Sequence, residues 1–175
     1  LGSAGGGGGS SAAAAAGMSG MSPGQTSTTA GGSARMRPLG VARWKAMKIQ
    51  VSETAPSPFE VSDGQSDAKV PEPRHASLQM VVDLTDARTG VQIPYATVLA
   101  TVRQGAKVVS RTRQFPMLSE ALGSDYVNNV ALPGPGRYEL SLLIGPPLAA
   151  RHLEYAHVWL KQHTVRMSFH WSPTA

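Results

Sequence analysis

The chain has 175 residues, 41% of them hydrophobic, with 16 Lys and Arg against 11 Asp and Glu and no cysteine. That length suits one domain with an appendage, and the missing cysteine excludes disulfides, thiolate metal sites, iron–sulfur clusters and thiol nucleophiles. No stretch reaches the roughly 18–20 apolar residues that span a bilayer, and a start at Leu1 fits a processed or truncated product.

The formal net charge of +5 invites a nucleic-acid reading, but its distribution argues against one. Residues 1–50 carry five basic side chains (Arg35, Arg37, Arg43, Lys45, Lys48) and no acid, whereas residues 51–175 carry eleven of each sign. One Trp and five charges make a small footprint for a polyanion, so no nucleic-acid partner is expected.

Residues 1–35 are a low-complexity mixture of Gly, Ala, Ser and Thr, expected as a flexible N-terminal tail because so little side-chain surface cannot offset the entropy of ordering it. Residues 36–48 interleave basic side chains with Met36, Leu39, Val41, Trp44 and Met47. They read either as a solvated approach to the first strand or as a basic arm that anchors the protein on a partner through Arg35, Arg37, Arg43, Trp44, Lys45 and Lys48.

From residue 46 to 175 the period is two, the signature of strands. Met47, Ile49 and Val51 alternate with Lys48 and Gln50, and two breaks rich in Pro, Ser and Asp follow at 55–58 and 62–73. Leu78, Met80, Val82 and Leu84 share one face, as do Ala96, Val98, Ala100 and Val102. A turn at Gln104 and Gly105 leads into 107–115, and 126–132 is another short strand. Tyr138, Leu140, Leu142 and Ile144 share a face, and the last strand does the same with Val165, Met167, Phe169 and Trp171. Helical spacing is confined to 118–122 and 148–160. About seven short strands with turns between them predict an all-β, immunoglobulin-like antiparallel β-sandwich. Tyr138, placed just after the Pro-Gly corner 133–136, is positioned for a tyrosine corner.

Motifs for catalysis are missing. There is no phosphate loop between a strand and a helix, no H-E-x-x-H and no pair of histidines at helical ligand spacing. No enzyme is expected. The side chains left with chemistry are Met117 and the histidines at 75, 152, 157, 163 and 170, and thioether with imidazole suits copper(I) or iron.

The order of short motifs then becomes informative. Ile93-Pro94-Tyr95 is followed by Phe115-Pro116-Met117, Gly123-Ser124-Asp125-Tyr126-Val127-Asn128-Asn129-Val130, Gly136-Arg137-Tyr138-Glu139-Leu140, Ile144-Gly145-Pro146-Pro147 and Arg151-His152. This series, over about residues 44–172, resembles the periplasmic ferrous iron transport protein family, immunoglobulin-like proteins that work beside an iron permease. The resemblance implies a copper or iron site built from a His and a Glu two apart on an early strand, a Met, a His before Tyr-Gly and a late His. Met117 and His152 match that pattern. Asp125 stands where a His precedes the Tyr, Val127 replaces the Gly, and Ser77 and Gln79 stand at the early His and Glu. An aspartate hardens the site toward iron or manganese. His75 shares a strand face with Ser77 and Gln79 but sits roughly 6–7 Å further along.

Two functions fit these expectations. The first is a non-catalytic, extracytoplasmic accessory subunit, peripheral to a membrane, which keeps the sandwich with a degenerate metal site and docks on a larger membrane protein assembly through its N-terminal arm. The second is a metal-binding accessory of iron uptake using Met117, Asp125 and His152. The cofactor expectation is accordingly iron or copper, or none, and the resemblance also implies a dimer.

Overall fold

Alternating apolar and polar residues become ten strands among the described residues of the computed structural model, which are 35–62, 64–70, 74–120 and 122–173. They are β1 (Arg37–Trp44), β2 (Met47–Thr54), β3 (Phe59–Ser62), β4 (Asp67–Val70), β5 (Leu78–Asp86), β6 (Val98–Gln104), β7 (Lys107–Ser119), β8 (Gly123–Val130), β9 (Gly136–Ile144) and β10 (His163–Trp171). The tail expected over 1–35 lies, except for Arg35, outside the described residues.

All paired strands are antiparallel, in the order β1-β2-β5-β8-β7-β6-β9-β10, with β3 and β4 forming a separate hairpin. The 13-residue β7 changes partner along its length. Residues 107–114 pair with β6, and 115–119 pair with β8. β7 therefore belongs to both layers of an immunoglobulin-like antiparallel sandwich. Between the layers Met47, Ile49, Val51, Met80, Val82 and Leu84 meet Val98, Ala100, Val102, Leu140, Leu142 and Ile144. Full burial of each such aliphatic side chain contributes about 1.5–3 kcal/mol.

Three local devices complete the sandwich. The Tyr138 hydroxyl donates to the Gly134 carbonyl across the Pro-Gly corner, the tyrosine-corner bond that the sequence suggested. The end strands β1 and β10 close on each other through side chains. A Cβ at Gly40 would lie 2.8 Å from the Met167 sulfur, so glycine permits the approach, and Trp44 stacks on His163 at 5.0 Å. The Pro-rich excursion between β2 and β5 folds over the outer face of the first layer. Phe59 meets Phe115 edge-on at 5.9 Å, and the Gln79 and Asn129 amides both donate to the Ser57 carbonyl, at 3.2 and 2.8 Å.

The structure adds three strands in two places and replaces the helical turns. Residues 37–44, expected as an arm, are β1, paired with β2 along its length. β3 lies between the breaks expected at 55–58 and 62–73, and β4 lies within the second. Of 118–122, expected to turn helically, Leu118 and Ser119 end β7 and residue 121 lies outside the described residues, while 148–160 contains a single 3-10 turn, Leu153–Tyr155. In that last segment the Arg151 guanidinium takes the place of regular backbone bonding. It donates to the carbonyls of Pro147 (2.9 Å), Tyr155 (3.3 Å), Trp159 (3.3 Å) and Val158.

Candidate metal centre

The outward residues of β5, β8 and β7 place the candidate site. Met117 on β7 is the direct cross-strand partner of Asp125 on β8, a relation that sets side chains roughly 4.5–5.5 Å apart at Cβ. β8 pairs with β5 as far as Tyr126 and Val82, so Asp125 and Asp83 stand one step beyond the last paired residues. Gln50 on β2 is the partner of Asp83 on its other side. The outer face therefore carries one continuous row, Gln50–Asp83–Asp125–Met117. The row lies beyond the part of the face that Phe59 and Ser57 cover.

Asp125 is 7% exposed, and its carboxylate makes no hydrogen bond or ion pair among the described residues. Burial, reinforced by the neighbouring Asp83 carboxylate, pushes its carboxyl up to about 6. Burial also raises the Asp83 carboxyl, opposed by the Lys48 charge, and the Asp83 Oδ1 atom is buried without a partner. Two adjacent carboxylates with unfilled acceptor capacity favour a cation between them. Asp125 and Met117 open onto a cavity of about 400 Å³, whose other wall is formed by residues 92–95. Tyr126 fixes that wall from inside the sandwich. Its hydroxyl donates to the Ile93 carbonyl at 2.8 Å and accepts from the Ala96 N–H at 2.9 Å.

His152 is elsewhere. It lines a separate cavity of about 170 Å³ with Tyr155 and Trp159, and residues 92–94 border both hollows. Its side chain is 89% exposed and faces Glu154 at 3.4 Å. Met117 and Asp125 thus meet as expected, while His152 does not join them. The early-strand positions are further away still. Gln79 pairs with Asn129, four residues from Asp125, or about 13 Å along a strand. The Ser77 hydroxyl is committed to Leu132, accepting from its N–H at 2.8 Å and donating to its carbonyl at 3.2 Å.

A copper(I) site of thioether and imidazole does not fit this arrangement, because the imidazole stands outside the cavity. Two carboxylates and one thioether suit a harder divalent ion such as iron(II) or manganese(II). Among the described residues no group of three His, Asp or Glu side chains converges. Asp83 was absent from the sequence-based candidates because its meeting with Asp125 depends on the register of strands about 40 residues apart.

The side chains expected to dock a partner are partly occupied. Trp44 is buried, its carbonyl accepting from the Trp159 indole at 3.2 Å. Arg37 pairs with Glu53 and donates to the Ser172 carbonyl at 3.1 Å. Lys48 is half-buried on β2, while Arg35, Arg43 and Lys45 are exposed. Lys45 sits at φ 53° in the tight turn joining β1 to β2.

Comparison with known proteins agrees with the fold. FetP of uropathogenic Escherichia coli strain F11, as isolated after expression in the periplasm, superposes with a TM-score of 0.65 at 19% identity, covering 81% of this chain and 99% of that one. A copper-bound variant of the same FetP gives 0.64 at 18% identity, covering 81% and 95%. No curated protein matches the sequence. The model of the Fe2+ transport protein family matches residues 32–173, and the chain belongs to that family.

Proposed function

We propose that this protein is a non-catalytic, extracytoplasmic metal-binding accessory of ferrous iron uptake. Iron(II) is its cargo, held at Asp83, Asp125 and Met117. The observation that carries this reading is Asp125, nine-tenths buried, without a hydrogen-bond partner and beside a second carboxylate at the edge of a cavity. A buried carboxylate in that state is stabilised by a cation more than by anything the chain itself supplies. Family membership supports iron as the cargo. The copper in the FetP variant belongs to a protein 18% identical, and the donor set here is harder than thioether with imidazole. The accessory role fits a chain in which no helix of the described residues is long and apolar enough to cross a membrane, so that cargo passes to a larger membrane assembly.

Anaerobic calorimetric titration with iron(II) tests the assignment. One equivalent is expected to bind the wild-type chain, with affinity lowered at least tenfold in Asp125→Asn and in Asp83→Asn and within twofold of wild type in His152→Ala. Equal affinity in the wild type and both aspartate variants would remove the site.

A further inference from the structure

The second layer presents a different surface. Strand alternation turns Leu99, Thr101 and Arg103 of β6 outward, with Arg137, Glu139, Ser141 and Leu143 of β9 and Thr164, Arg166, Ser168 and His170 of β10. Register adds Arg111 and Arg113 of β7, the partners of Thr101 and Leu99. The face thus gathers five arginines, 103, 111, 113, 137 and 166, around the single carboxylate of Glu139. All five are exposed. Arg111, Arg137 and Arg166 make no ion pair or hydrogen bond among the described residues. Arg103 reaches only its own turn, at the Ala106 carbonyl (3.5 Å), and Arg113 lies over the Phe115 ring.

The face is concave. A hollow of about 700 Å³ is lined by Arg103, Arg111 and Arg166, by the hydroxyls of Thr101, Ser141 and Ser168, and by Glu139, whose one negative charge is outweighed by the three guanidinium groups. We propose that this hollow docks an acidic extended segment of a protein partner. Unpaired guanidinium groups match carboxylates through paired hydrogen bonds, and the hydroxyls between them can bond a peptide backbone. A planar bilayer meets a concave face poorly, and among the described residues the face exposes no Phe, Tyr or Trp to enter a headgroup layer or stack on a base. The docking surface proposed here is independent of the metal site, which lies on the other layer.

Fluorescence anisotropy at low and physiological salt, with a labelled twelve-residue peptide of alternating Glu and Ser, tests the proposal on the full chain. Arg111→Glu with Arg166→Glu is compared with Lys69→Glu with Arg74→Glu, exposed positions at and just after β4 on the other layer, which changes net charge equally. Thermal melts confirm that both double variants are folded. The expected result is at least tenfold weaker binding for the first pair, less than twofold for the second, and no sedimentation with phosphatidylglycerol vesicles. Equal losses in both pairs would make the effect net charge alone. Undiminished binding by the first pair, or binding to vesicles and not to peptide, would also overturn it.

Discussion

Replacing Asp125 with asparagine separates the requirements of the site from those of the fold. In the metal-free protein the Asp125 carboxyl has moved from an ordinary 3.8 to about 6, first through burial and then through Asp83. About two pKa units correspond to roughly 3 kcal/mol between the two protonation states. The cavity is open to water, and screening reduces the net effect to about 1–1.5 kcal/mol. Because the folded-state value is raised, the carboxyl opposes folding when ionised. Its penalty is absent below pH 3.8, grows as pH rises, and is complete above about 6. Asp125→Asn is therefore expected to raise stability by about 1–1.5 kcal/mol at pH 7.5, with the gain shrinking as pH falls through 6 and gone near 3.8. Urea unfolding in the presence of a chelator, at intervals from pH 4 to 8, reads this directly. With excess iron(II) the order reverses, since only the wild type gains binding energy. A variant less stable than wild type at pH 7.5 without metal, or a gain independent of pH, would refute the account of Asp125 as a carboxylate held for a cation.

Three further outcomes follow from named contacts. Tyr138→Phe removes the hydroxyl that reaches Gly134 and should lower stability by about 1–1.5 kcal/mol, measured as a shift in the urea midpoint at unchanged slope. Arg37→Ala leaves the buried Glu53 carboxylate unpaired and should destabilise by about 3 kcal/mol, with most of the loss recovered when Glu53→Gln is added. Arg151→Ala frees the carbonyls of Pro147, Tyr155, Val158 and Trp159. Amide exchange across 147–159 should then accelerate at least tenfold, while iron(II) affinity at Asp125 stays within twofold.

Period two located the central strands because their inner faces are uninterrupted. Val98, Ala100 and Val102, or Leu140, Leu142 and Ile144, admit no other reading. β1 escaped because a register shift between Pro38 and Gly40 breaks its alternation. Its exposed side chains mix Pro38 and Val41 with Arg43, and Leu39 and Ala42 are only partly buried, leaving Trp44 as its one buried side chain. Strands at a layer's end have one water-facing side and lose the contrast that alternation supplies. The β3–β4 hairpin carries Ser and Asp for the same reason, covering a face instead of entering the core. Motif order picked out Met117, Asp125 and His152; register brings the first two together, while His152 lines a different cavity, because motif order records a chain position and not a cavity. Asp83 and the arginine face needed cross-strand register, which no local pattern encodes. The charge count made residues 51–175 neutral, yet alternation sends Arg103, Arg111, Arg137 and Arg166 to one layer and Asp83 and Asp125 to the other.

β7 is the only strand of the described residues paired into both layers, carrying Arg111 and Arg113 in its first half and Met117 in its second. The change of partner falls between Gln114 and Phe115, and Pro116, which has no peptide N–H, is the second residue of the half paired with β8. A partner gripping one half and an ion held at the other therefore act on the same rod. If docking alters affinity for the ion by some factor, the ion alters docking by that same factor. A protein loaded with iron and a protein emptied of it would then present themselves differently to the partner, with no moving domain required.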